Sequence, residues 1–90
     1  MKNTFDPIKR QIVLETRGLD MARSGEVFEG ETITGTDDRR DYGEARFITV
    51  GRLDGRMVVL VWTPRGGARR IISLRKANDR EKALYGPRLD

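Results

Sequence analysis

The segment Arg69-Arg70-Ile71-Ile72-Ser73-Leu74-Arg75-Lys76 sets a short apolar run between cations, and further cations stand at Lys9, Arg46 and Arg65, with Glu44 two residues before Arg46. Cations fixed along a strand suit the phosphates of a polynucleotide. The rest of the inventory narrows the chemistry. The chain has no Cys and no His, which removes thiol nucleophiles, Cys/His zinc sites and imidazole as a proton carrier. An enzyme built from these residues draws its acid and base from Glu, Asp, Lys or Tyr, with Arg as an electrostatic stabiliser only, because its pKa lies above about 12. Ser73 has no imidazole to activate it, so a Ser-His hydrolase is excluded. Asp37, Asp38 and Asp41 cluster without ligand spacing, so no metal is expected, and no cofactor motif is present. Gly66-Gly67 marks a turn and not a phosphate cradle, since neither a Lys-Ser/Thr pair nor a helix start follows it.

Cleavage of RNA by its own ribose 2′-OH fits this inventory. The substrate supplies the nucleophile, and the protein orients the strand, neutralises the phosphorane and moves two protons. Arg46, Arg65, Arg70 and Arg75 are the candidate cations; Glu44, Lys76 and Tyr85 are the candidates for proton transfer. Each has a plainer reading. An arginine at a strand end is commonly a solvated charge or a carboxylate's partner, Glu81 reads first as a helix cap, and Trp62 as core before it reads as a platform for an unpaired base.

The elements that must position these residues are partly legible. Asp6-Pro7 starts a helix, which runs from Ile8 to Thr16 with Ile8 and Ile12 one turn apart, and Gly18 stops it. A second short helix is expected from the Asp20 cap to Phe28, with Gly30 after it. Thr32-Ile33-Thr34 could be a short strand, and residues 36–41 read as a mobile loop. Residues 46–76 form the clearest pattern. Arg46-Phe47-Ile48-Thr49-Val50 is β-branched and aromatic, Asp54-Gly55 signals a type I′ hairpin, and Met57 to Trp62 is apolar on both faces and therefore central. A second hairpin turns at Gly66-Gly67. A two-residue loop there places Arg70, Ile72 and Leu74 on the face of Arg46, whereas one more residue places Arg69, Ile71, Ser73 and Arg75 there instead. Asn78 with Glu81 makes a capping box for a last helix that Gly86-Pro87 should end. The expected class is α+β: two N-terminal helices, a three- to four-stranded antiparallel sheet and a C-terminal helix.

With 90 residues there is one modest core and a single domain, 1–90. Lys and Arg number 18 against 14 Asp and Glu, net +4, which favours a polyanion or an acidic protein as partner. The acids concentrate from Glu26 to Glu44, whereas residues 52–76 carry Asp54 as their only acid, so the basic face belongs to the C-terminal half. No signal peptide or membrane span is legible, and a cytoplasmic protein without membrane contact is expected.

Several blocks together resemble the BrnT family, the ribonuclease toxins of type II toxin-antitoxin pairs with a RelE-like fold. They are Phe5-Asp6-Pro7-Ile8-Lys9; Glu44-Ala45-Arg46-Phe47-Ile48-Thr49-Val50-Gly51; Thr63-Pro64-Arg65-Gly66; and Arg70-Ile71-Ile72-Ser73-Leu74-Arg75-Lys76-Ala77 with Glu81 and Tyr85. The last block is the most specific, because its basic, apolar, Ser, basic order leads directly into the capped helix. The resemblance implies a bacterial, metal-independent endoribonuclease that arrests translation. It also implies a silencing antitoxin of the ribbon-helix-helix type (BrnA-like), through which alone operator DNA is bound. Glu44, Arg46, Arg70, Arg75 and Lys76 are then the expected catalytic set, and Lys9, Arg65, Arg69 and Ser73 the expected RNA contacts. Two departures stand out: the family's first helix carries an Asn and ends Lys-His-Gly where this chain has Thr16-Arg17-Gly18, and its Ser-Ala-Arg is here Ser73-Leu74-Arg75. The alternative is a non-enzymatic basic module that binds an antitoxin or nucleic acid.

Overall fold

The computed structural model describes residues 1–89, and one five-stranded sheet organises them. Five strands, β1 (Asn3–Phe5), β2 (Ile33–Thr36), β3 (Phe47–Leu53), β4 (Arg56–Arg65) and β5 (Ala68–Lys76), lie in the order β1-β5-β4-β3-β2. The helices are α1 (Pro7–Arg17), α2 (Ser24–Glu29), preceded by a 3-10 turn at Met21–Arg23, and α3 (Asp79–Leu89). The sheet is mixed, since β1 runs parallel to β5 while all other neighbours are antiparallel.

This is α+β, as expected, but the sheet corrects the three- or four-stranded antiparallel layout. β1 has only three residues, too few to show a period, and it is held by pairing with β5 and by the Arg69 N–H donating to the Lys2 carbonyl at 2.8 Å. The second expected helix is split, with Asp20 capping the 3-10 turn through the Ala22 N–H at 2.9 Å. Helix α3 runs through Gly86-Pro87 to Leu89 and does not end there. Proline forfeits one hydrogen bond within the last turn, and burial of Leu89 against Val50, Met57 and Val59 offsets it.

The apolar β4 is central. One face of the sheet packs Leu53, Val58, Leu60, Ile71 and Leu74 against Val13 of α1, Leu19, Met21 of the 3-10 turn and Val27 of α2. The opposite face packs Val50, Met57 and Val59 against Ala77 and Leu89, with Tyr85 of α3 beside them. On α1 it is Val13 that is buried, while Ile8 and Ile12 stay exposed. The helix is fixed in that rotation by Arg10, whose Nε and Nη2 donate to Asp20 at 2.7 and 2.9 Å, and by Arg17, which donates to the Leu74 carbonyl at 2.8 Å.

Both hairpins turn on two residues. Asp54 and Gly55 take φ 53 and 74°, Gly66 and Gly67 φ 54 and 80°, the left-handed pair that a type I′ turn requires. Along β5 the register then shifts: Trp62 faces Ile71 and Val61 faces Ser73, so Ile72 is the extra residue of a bulge. Arg70, opposite Thr63 before the bulge, lies on the α3 face, and Ser73 and Arg75, opposite Val61 and Val59 after it, lie on that face too. Neither simple loop length predicts that combination, because the bulge resets the alternation.

Candidate active site

A concave site of about 190 Å³ is lined by Asp6, Lys9, Glu44, Arg46, Arg65, Arg70, Ile71 and Ile72. Four cations from four separate segments converge there. Lys9 comes from the first turn of α1, Arg46 from the residue before β3, Arg65 from the end of β4 and Arg70 from β5. Glu44 ties two of them together, accepting from Arg65 Nη2 at 3.1 Å and from Arg46 Nε at 3.5 Å. Arg46 is also stacked 4.0 Å from the centroid of the Tyr42 ring, which fixes the plane of its guanidinium.

Arg70 has no hydrogen-bond or ion-pair partner among the described residues, so its five donors are available. Lys9 is unpaired in the same sense, and its ammonium is held below the ordinary lysine range, first by burial and then by the positive charges of Arg17 and Arg46, with Asp6 opposing. The Asp6 carboxylate is committed to the helix start, accepting from the Ile8 N–H at 2.9 Å. Glu44 is held below the ordinary glutamate range, chiefly by the Arg65 hydrogen bond, which keeps it ionised.

The other expected residues stand apart. Arg75 is on the same face as Arg70 but is bound bidentately by Glu81, Nη1 to Oε1 at 2.7 Å and Nη2 to Oε2 at 2.8 Å. The same glutamate accepts from the Asn78 N–H at 2.9 Å while its own N–H donates to Asn78 Oδ1 at 2.8 Å, so the capping box and the ion pair share one carboxylate. Ser73 is half-buried opposite Val61, between Arg70 and Arg75 along the strand. Lys76 is exposed, opposite Val58 on the other face, and six steps along the strand at about 3.3 Å each separate it from Arg70. Arg69 lies on the face covered by α1 and α2, 3.8 Å from the Phe28 ring centroid. Tyr85 packs against the core under α3.

Sequence reasoning missed how the segment before β3 is held. Residues 36–41 were expected to be mobile, yet the Asp37 side chain is buried, accepting from Arg39 Nε and Nη2 at 2.7 Å each, and its N–H donates to the Arg46 carbonyl at 2.8 Å. Tyr42, an aromatic among charges, was the available signal. Asp37 and Arg39 fix the stretch from which Glu44 and Arg46 reach the site and Tyr42 braces Arg46. No group of three or more Asp or Glu among the described residues could hold a metal ion, and no helix is long and apolar enough to cross a membrane.

No curated protein matches the chain. The family model described as "Ribonuclease toxin, BrnT, of type II toxin-antitoxin system" matches residues 5–81, a span that takes in every residue of the concave site. The chain thus belongs to the BrnT family of ribonuclease toxins of type II toxin-antitoxin systems, and with that membership comes an antitoxin as partner.

Proposed function

We propose that the chain is a metal-independent endoribonuclease that cuts RNA at the concave site, by attack of a ribose 2′-OH on the adjacent phosphate. The observation that carries this reading is the convergence of Lys9, Arg46, Arg65 and Arg70 on one site that contains only two carboxylates. The excess positive charge matches a scissile phosphate whose charge rises in the transition state. Arg70, free of internal partners, grips a non-bridging oxygen. Arg46, braced by Tyr42 and Glu44, grips another.

The bond from the 2′-oxygen to phosphorus forms as the bond to the 5′-oxygen breaks. The products are a 2′,3′-cyclic phosphate and a 5′-hydroxyl. The Lys9 ammonium loses a proton to solvent more readily than an ordinary lysine's; the neutral amine so formed takes the 2′-OH proton, and the leaving 5′-oxygen takes a proton from solvent or from the resulting Lys9 ammonium. Glu44 serves to hold Arg46 and Arg65. Ser73, Arg69 and Arg65 extend the contact surface for flanking nucleotides, and Arg75 and Lys76 contribute positive potential from farther along β5. The antitoxin, of ribbon-helix-helix type, masks this site with an acidic segment and carries operator DNA binding for the complex; released in the cytoplasm, the toxin arrests translation by cutting RNA.

Production of the chain without its antitoxin, with growth and RNA integrity followed together, tests this. Arrest accompanied by fragments ending in 2′,3′-cyclic phosphate is expected, and an oligonucleotide with a single 2′-deoxy sugar at the cut site should resist cleavage. Intact RNA beside a stable stoichiometric complex with the antitoxin would instead establish the binding module without enzymatic activity.

A further inference from the structure

On the face covered by α1 and α2, a second concavity of about 230 Å³ is lined by Met1, Asn3, Gly25, Phe28, Glu29 and Arg69. Asn3 and Arg69 are register partners across the parallel pairing of β1 and β5. Their side chains contribute two orphaned polar atoms: Asn3 Oδ1, an acceptor, and Arg69 Nε, a donor, are both buried with no hydrogen-bond partner. Such atoms are rare in a folded chain unless something outside it completes them.

The guanidinium is not loose. It lies 3.8 Å from the centroid of Phe28 and 5.6 Å from that of Trp62. Phe28 meets Trp62 edge to face, Trp62 stacks on Phe47, and the Trp62 Nε1–H donates to Thr49 Oγ1 at 2.8 Å. An aromatic stack thus sets the plane of a cation that has no ion-pair partner among the described residues. Glu29, exposed at the end of α2, brings a carboxylate to the same concavity and is likewise without an ion-pair partner there. Gly25 allows the close approach, since a Cβ at that position would meet Asn3 Nδ2 at 3.3 Å.

We infer that this concavity holds an unpaired guanine of the RNA substrate and sets a base preference next to the cut. Its volume is below the roughly 300–1,000 Å³ of sites for drug-sized ligands, and suits a single base. The lining offers a planar arginine fork, a carboxylate and an amide oxygen. Guanine presents the complement: O6 and N7 accept from an arginine fork, and N1–H and N2–H donate to carboxylate or amide oxygens. Adenine would set its N6 donors against the arginine. A bare phosphate would meet Glu29. Arg69 and Arg70 are consecutive residues on opposite faces of β5, so a single strand turning over the end of the β4–β5 hairpin reaches both sites. Unstacked bases of single-stranded RNA are commonly read in this way, by their edges.

The inference takes its RNA substrate from the proposed ribonuclease activity, but the site can be tested without that activity. Amide shifts of the full chain are followed by NMR during titration with GMP, AMP, CMP, UMP and inorganic phosphate. GMP should move Asn3, Phe28, Glu29 and Arg69 and bind at least about ten-fold more tightly than the other nucleotides, whereas phosphate leaves these residues unmoved. Glu29→Gln, an exposed substitution, should abolish the difference, and in cleavage assays it should remove the guanine preference while cutting continues. GMP binding no tighter than AMP or CMP, or a preference unchanged in E29Q, overturns the guanine site. Failure of the wild-type chain to cut any RNA overturns the ribonuclease reading alone, and the titration still decides the site.

Discussion

Arg70 and Arg75 share a strand, a face and a residue type, and their surroundings give them different work. Arg75 is held by two hydrogen bonds to a carboxylate that also caps a helix, whereas nothing inside the described chain engages Arg70. Replacing Arg75 with Ala should therefore lower stability, by about 1 kcal/mol or less because the pair is part-exposed, and a denaturant midpoint measures it. Lys9 permits a sharper distinction. Lys9→Arg keeps a positive charge but cannot surrender a proton, so cleavage should fall by roughly 10²-fold or more while RNA binding by a non-cleavable 2′-deoxy strand persists. Cleavage unchanged in K9R would reduce Lys9 to a phosphate contact.

The elements divide by what a sequence can show. The Asp6-Pro7 start, the Gly18 stop, the Asp54-Gly55 turn and the Asn78 to Glu81 capping box are local devices, set by residues within a few positions of one another, and all were legible. β1 was not, because three residues carry no period and its partner lies 66 positions away, Asn3 against Arg69. The bulge at Ile72 was not legible either, and the sidedness of Ser73 and Arg75 relative to Arg70 depends on it. The cations of the candidate site were recognisable one by one, but their convergence depends on the two-residue Gly66-Gly67 turn that sets Arg70 opposite Thr63 and on the Asp37–Arg39 anchor. Gly51 is another tertiary requirement: a Cβ there would stand 2.7 Å from Val27 Cγ1 and 3.1 Å from Thr32 Cγ2. Gly51→Ala should force β3 away from α2 and cost about 1–3 kcal/mol, as an equilibrium unfolding curve would show; a change below about 0.5 kcal/mol would mean that α2 yields freely.

Across the whole molecule, arginine–carboxylate pairs brace the scaffold on both faces of the sheet while the concave site keeps surplus positive charge. Asp20 beside Arg10, Asp37 beside Arg39 and Glu81 beside Arg75 are each held at about 2 by the arginine hydrogen bonds. Depressed carboxylate pKa values add stability that is fully present above the unfolded values of about 4 and is lost as pH falls toward 2. Unfolding midpoints measured between pH 6 and 2 should decline in that window, and Glu81→Gln should flatten the decline; a flat wild-type profile would show that these pairs contribute little. The central claim, that unpaired cations in the concave site drive RNA cleavage, rests most directly on Arg70. Its test is the single-turnover cleavage rate of Arg70→Ala against the wild type on one RNA, with thermal unfolding recorded for both. An unchanged unfolding midpoint with a rate lower by roughly 10²-fold or more is predicted. Equal rates from two equally stable proteins would contradict it.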